Sequence, residues 1–243
     1  MSARGRTRRV RWGEPWHLGS AAFWVARCRE AVPAEYAYAF GSTLAEEVAA
    51  CVLGGHGIPA QVGLAAYDHL RAQGLLEPDA RASGDDLEDA LRAPLDLAGR
   101  TIHYRFAAQR GQRLGAALRM LHEAGERPTD AVALRDWLLR LPGVGPKTAS
   151  WIVRNHLGSD RVAIIDVHLL RAGVIAGIYD PAWTPTKDYH LLEDLFLAWA
   201  DHGGISAAAL DAIVWADMAS LGRSVYDVLG VPNDRPSWYT VES

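Results

Sequence analysis

Leu141-Pro142-Gly143-Val144-Gly145-Pro146-Lys147 separates two apolar helical patterns, and its reading decides the fold. Before it, Leu134, Trp137, Leu138 and Leu141 recur at i, i+3, i+4 and i+7, the spacing of one helix face. Pro142 disfavours a helical residue ahead of it, so this helix is expected to stop by Leu141. Gly143 and Gly145 admit positive φ angles and a tight turn. Pro146 suits the first position of a new helix, where its missing N–H is no loss. Ala149, Ile152, Val153 and His156 carry the period onward. The reading is helix, glycine hairpin, helix over 134–157. Only Val144 carries a side chain between the two glycines. The hairpin amides can therefore approach a phosphate, at the positive end of the second helix.

Lys147 is then the second residue of that helix. The helix dipole disfavours an ammonium there, and partial burial acts in the same direction. A lysine that spends time neutral is a nucleophile able to form a Schiff base. Nineteen residues on, Ala163-Ile164-Ile165-Asp166-Val167-His168 runs apolar residues into a carboxylate. Val167, Leu170 and Val174 continue at helical spacing. Asp166 is thus expected at a helix N-terminus, where an ionised carboxylate is favoured.

These residues resemble the helix-hairpin-helix DNA glycosylases, which include endonuclease III and the 8-oxoguanine DNA glycosylases. The resemblance rests on the hairpin, Lys147 and Asp166, and is densest over 129–174. It implies that Gly143, Val144 and Gly145 hold DNA, that Lys147 is the nucleophile and that Asp166 is the catalytic carboxylate. The lysine marks bifunctional members, which remove a base and then nick the strand; members without it only remove the base. The Asp166-Val167-His168 form is more similar to the 8-oxoguanine enzymes than to endonuclease III, where threonine usually follows the aspartate. His168 matches a histidine that contacts a DNA phosphate in those enzymes.

Two further regions share the resemblance. Leu210-Asp211-Ala212-Ile213-Val214-Trp215 is similar to a motif of compact 8-oxoguanine glycosylases whose helix lines the base pocket. Asp211 and Trp215 are four apart and share a helix face. An aromatic to stack on an extruded base, with an acceptor for its N–H groups, suits a modified purine. The turn Gly54-Gly55-His56-Gly57-Ile58-Pro59 falls where the family places its gap-filling residues, which makes His56 or Ile58 the candidate wedge. The usual glutamine or asparagine cluster is missing there, and an ordinary glycine loop is the alternative.

Each piece has a plainer reading. A glycine hairpin also serves as a DNA-binding module without chemistry. A lysine on a helix is ordinarily a solvated charge, an aspartate before one is ordinarily a cap, and one tryptophan among nine is as readily core as pocket. Hairpin, lysine and carboxylate together favour an enzyme that removes 8-oxoguanine from double-stranded DNA and nicks the strand. The alternatives are an endonuclease III-like glycosylase for oxidised pyrimidines and a non-catalytic DNA-binding protein.

The chain has 243 residues, 49% of them hydrophobic, enough for one large domain or two lobes around a cleft. No apolar run approaches membrane-spanning length, and no apolar signal segment follows the N-terminus. A soluble, cytoplasmic monomer is expected, with damaged duplex DNA as its partner. Cys28 and Cys51 are too few for the four-cysteine iron–sulfur cluster of endonuclease III. The nine histidines show no metal-ligand spacing, so neither that cofactor nor a metal is expected.

Charge argues the other way. Net charge is −4 with a pI of about 6.1, whereas a duplex binder often has a basic face. Arg4, Arg6, Arg8, Arg9 and Arg11 precede the first acid, and without them 20 basic residues face 29 acidic ones. Local contacts must therefore supply binding: hairpin amides, His168, and an arginine arm that either tracks phosphates or only adds solubility.

The remainder reads as helix after helix. Tyr36, Phe40, Leu44, Val48 and Val52 form one stripe, and further helices are expected over 59–74, 85–93, 102–124, 185–200 and 206–222. Residues 94–99 read as a loop, and no run of paired strands is convincing. The expected class is all-α: two helical lobes with a central cleft, the helix-hairpin-helix glycosylase fold, and no β lobe. The boundaries are a basic arm over 1–18, a glycosylase domain over 19–222 and an irregular tail over 223–243.

Overall fold

The computed structural model describes residues 1–31, 39–55, 57–77 and 79–221. In chain order these form β1 (Ser2–Ala3), β2 (Arg6–Thr7), α1 (Ala21–Glu30), α2 (Leu44–Leu53), α3 (Ala60–Ala72), α4 (Gly84–Arg92) and β3 (Leu95–Leu97). There follow β4 (Arg100–Ile102), α5 (Ala107–Glu123), α6 (Ala131–Leu138), α7 (Pro146–Leu157), α8 (Val167–Ile175), α9 (Pro185–Gly203) and α10 (Ala207–Leu221). The chain divides into two lobes. A terminal lobe comprises Met1–Tyr36 and Ser159–Ser243, and an internal lobe comprises Ala37–Gly158. The architecture is all-α and two-lobed, with only two small β-hairpins and no β lobe among the described residues. No described helix is long and apolar enough to cross a membrane.

In the internal lobe, α2 packs on α5 and α7, and α4 lies along α5. Gly111 and Gly115, one turn apart on α5, make the second contact possible. A Cβ on either would come within 2.6 Å of an α4 backbone nitrogen, that of Glu88 or Gly84. The stripe from Tyr36 does not form one helix. Thr43 caps α2 by accepting the Glu46 amide while the Glu46 carboxylate takes the Thr43 amide, and this capping box starts the helix at Leu44. Tyr36 itself lies outside the described residues.

Residues 94–99 are not a plain loop. Leu95–Leu97 pairs antiparallel with Arg100–Ile102, and Ala98 and Gly99 both take positive φ, 51° and 78°. This is the two-residue turn that matches strand twist. Asp96 Oδ1 accepts the Gly99 amide and stands in for the missing Asn-Gly signal. Ile102 belongs to β4, so α5 begins only at Ala107.

In the terminal lobe, α1, which starts at a Ser20 cap, packs on α9 and α10, and α10 also packs on α8. Trp24, Phe196 and Trp199 fill the core, with Trp199 donating to the Ala21 carbonyl at 3.2 Å. Ser206 Oγ accepts the Ala209 amide at the start of α10, as its sequence position suggests. The arginine arm is folded over its first eight residues. β1 and β2 pair, Arg4 bridges to Asp194 at 2.8 Å, and Arg8 donates to the carbonyls of Gly177 and Tyr179. Arg9 and Arg11 remain exposed.

Candidate active site

The internal lobe carries the hairpin. Asp130 starts α6 by accepting the amides of Val132 and Ala133. The helix ends at Leu138, earlier than its apolar period, because the next turn tightens. Arg140 donates to the Trp137 carbonyl and Leu141 to the Leu138 carbonyl, both i to i−3. Val144 then donates to Leu141 at 3.1 Å, closing a turn with Pro142 and Gly143 at its centre. Gly143 has φ +83°, the glycine position of a type II turn. Gly145 does not use a positive φ; at −96° it is the N-cap of α7. Pro146 is the first residue of that helix and Lys147 the second, as expected.

Val144 is buried and anchors the hairpin, while Gly143 and Gly145 are exposed. The first amides of any helix lack intrahelical partners, and no side chain caps those of α7. A Cβ on Gly145 would meet nothing within 4 Å, so a ligand can reach this backbone. Beside it lies Arg113 of α5, whose Cδ is 3.1 Å from where a Gly143 Cβ would stand. An open, positively polarised helix end with a guanidinium at its flank is suited to an anion.

Lys147 is half-buried on the first turn of α7. That helix is held from behind through α2. Ala149, Ile152 and Val153 are buried, but Asn155 rather than His156 takes the next inward position. Its side-chain amide donates to Glu47 Oε2 at 3.3 Å, while Glu47 Oε1 accepts the amides of Phe40 and Gly41. Cys51 of α2 is close enough to feel the Lys147 charge, yet burial dominates and pushes its thiol well above its ordinary value. It is a neutral core thiol.

The terminal lobe carries Asp166, at the N-cap of α8. Its Oδ1 accepts the amides of His168 at 2.8 Å and Leu169 at 3.0 Å. Among the described residues Oδ2 accepts no hydrogen bond, and the side chain is partly exposed. His168, on the first turn of α8, meets Trp215 of α10 edge to face with ring centroids 5.9 Å apart. Trp215 is 46% exposed, which leaves area to stack on. Asp211 is 5% exposed, within electrostatic reach of the fully buried Tyr179. The wedge candidates are placed less openly. Ile58 is buried, Gly57 lies under the Phe106 ring, and His56 lies outside the described residues. Among the described residues no three His, Cys, Asp or Glu side chains could hold a metal ion.

A family model described as 8-oxoguanine DNA glycosylase matches residues 36–205, about 70% of the chain. This chain belongs to that family. It is a helix-hairpin-helix DNA glycosylase that resembles the compact 8-oxoguanine glycosylase/AP lyases. Solved structures share the fold. The 8-oxoguanine DNA glycosylase of Thermotoga maritima aligns at TM-score 0.54 and 24% identity, over 71% of this chain and 77% of its own. The Methanocaldococcus jannaschii 8-oxoguanine glycosylase/lyase, in complex with a 15mer DNA containing 8-oxoguanine, aligns at 0.58 and 22% identity, over 73% and 81%. A trapped endonuclease III–DNA covalent intermediate aligns at 0.59 and 18% identity, over 83% and 84%.

Sequence reading passed over three residues in this glycosylase. Arg113 flanks the hairpin, and Tyr189 and Glu193 of α9 hold the segment ahead of Asp166. The spacing of the last two, four apart on one helix, was the available signal.

Proposed function

We propose that this glycosylase removes 8-oxoguanine from double-stranded DNA and then nicks the strand through a Schiff base on Lys147. The observation that carries the reading is the position of Lys147, one residue inside the uncapped N-terminus of α7 and beside exposed hairpin backbone. Membership of the family supports the substrate class. The hairpin amides and Arg113 hold a phosphate, and Trp215 stacks on the extruded base. Asp211 accepts from a base N–H.

As the C1′–N bond breaks and the base departs with its electron pair, positive charge develops on the sugar. Asp166 stabilises that charge electrostatically. The Nζ lone pair of Lys147 adds at C1′, and the proton that Nζ gives up goes to O4′ as the ring opens. Cleavage of the C1′–O4′ bond opens the sugar and leaves an iminium to lysine. Loss of a proton from C2′ then expels the 3′ oxygen, which breaks the strand by β-elimination.

Borohydride trapping on a panel of damaged duplexes tests this reading. A covalent adduct with 8-oxoguanine duplexes that disappears in Lys147→Ala is expected. Trapping on thymine glycol alone would assign the protein to oxidised pyrimidines. Duplex binding without trapping or base release on any lesion would leave a binding module.

A further inference from the structure

Residues 162–165, which lead into Asp166, belong to no helix or strand, yet all four are buried. Backbone polar groups in such a place need partners, and side chains of α9 supply them. The Tyr189 hydroxyl donates to the Ala163 carbonyl at 2.8 Å and accepts the Ile165 amide at 3.3 Å. Glu193, one turn along α9, accepts the Ala163 amide at 3.1 Å. One hydroxyl thus spans residues 163 and 165, and the next residue is Asp166. On its other side Asp166 is tied to α8 through its own carboxylate, by the amides of His168 and Leu169. The segment ahead of it is held by α9, and its own carboxylate by α8.

The geometry points to Tyr189 and Glu193 as positioning residues that aim the Asp166 carboxylate. This rests on the proposed role of Asp166. Tyr189→Phe keeps the ring and removes the one atom that bridges the two peptide groups. The segment then loses both bonds immediately ahead of Asp166 while the α8 cap persists, so the carboxylate shifts with the end of the helix. Displacements of about 1 Å at a reacting centre cost roughly 10²-fold in rate. Glu193→Gln retains an oxygen that accepts the Ala163 amide; Glu193→Leu does not.

Tyr179 provides the matched control. It is fully buried in the same lobe and donates to the Leu192 carbonyl of α9, but touches no backbone of residues 162–165 by hydrogen bond. Tyr179→Phe therefore removes a buried bond of the same kind without loosening the approach to Asp166.

The experiment compares the single-turnover rate of base release, duplex affinity and melting temperature of full-length variants, on the lesion duplex that wild type processes fastest. Tyr189→Phe and Glu193→Leu are expected to slow base release by roughly 10–100-fold with affinity unchanged, the loss typical of a misplaced catalytic group. Tyr179→Phe and Glu193→Gln should retain the wild-type rate, whatever their melting temperatures. If Tyr189→Phe does not fold, Glu193→Leu against Glu193→Gln carries the same comparison. A folded Tyr189→Phe that releases base as fast as Tyr179→Phe overturns the assignment. Asp166→Asn runs in parallel: an unslowed rate there overturns the proposed role of Asp166 itself, a result distinct from failure of the two α9 residues.

Discussion

Asp166 Oδ1 accepts the backbone amide of His168 at 2.8 Å, so the proposed catalytic carboxylate is also the N-cap of α8. The two roles separate by substitution, because asparagine caps about as well as aspartate but carries no charge. Asp166→Asn should leave the melting temperature nearly unchanged and slow base release by roughly 10²–10³. Asp166→Ala should also cost about 0.5–2 kcal/mol of stability. Full activity in the asparagine variant, with a stability loss only in alanine, would leave a cap and nothing more.

Lys147→Ala should abolish both base release and borohydride trapping while duplex affinity stays close to wild type. The motive is that the proposed phosphate contact lies with the uncapped amides at the N-terminus of α7, not with the lysine. The check is a trapping gel alongside fluorescence anisotropy on one lesion duplex. Base release at the wild-type rate would show that another group attacks the sugar.

What was legible in the sequence was whatever local backbone rules dictate. Pro142-Gly143 forces a turn, Pro146 opens a helix, and Asp166 caps one, each for reasons confined to a few residues. The features that stayed hidden depend on partners far along the chain. His156 fits the apolar period of α7 as well as any residue, but the position turned inward is Asn155, whose partner Glu47 lies 108 residues away. The β3–β4 hairpin escaped notice because Ala98 stands where Asn, Asp or Gly usually precedes the turn glycine, and the turn takes its support from Asp96. Tyr189 and Glu193 read as ordinary members of α9 until the segment they hold is seen.

Gly143→Ala tests the hairpin backbone. An L-residue at φ +83° costs about 1–2 kcal/mol, and the new methyl would press on the Arg113 side chain. The amides proposed to face a phosphate would be re-aimed. Weaker duplex binding, accompanied by a lower melting temperature, is expected. Undiminished affinity would place the phosphate contact elsewhere.

Asn155→Ala tests the buried link between α7 and α2. Burial holds the Glu47 carboxyl above its ordinary value of 4.5, against the opposing pull of the Gly41 and Phe40 amides and the Asn155 side chain. A raised carboxyl pKa in the fold means that ionised Glu47 costs stability above that folded value. The cost is relieved as pH falls toward 4.5, where the folded state takes up its proton first. Removing Asn155 withdraws one donor, a loss of about 1–3 kcal/mol while Glu47 is ionised. The melting-temperature gap between variant and wild type should therefore be widest near neutral pH and shrink on acidification. A gap independent of pH would show that packing, not the carboxylate, accounts for the loss.

The substrate turns on α10. Trp215 presents part of its ring beside His168, whereas Asp211, one turn earlier, is almost buried. If the two residues recognise an extruded purine, stacking on Trp215 is realised only after the base leaves the helix. Trp215→Ala should then slow reaction on 8-oxoguanine duplexes more than it weakens binding to undamaged DNA, by about 1–3 kcal/mol as for base–aromatic stacking. Asp211→Asn replaces one carboxylate oxygen with an N–H donor in a dry site, where an unpaired group is costly. Its effect should fall on discrimination between 8-oxoguanine and guanine rather than on overall affinity. Parallel single-turnover assays on the two bases measure that ratio directly. A wild-type ratio in Asp211→Asn, with equal losses on damaged and undamaged DNA in Trp215→Ala, would leave Asp211 a buried structural carboxylate, Trp215 a surface ring, and the purine reading without its pocket.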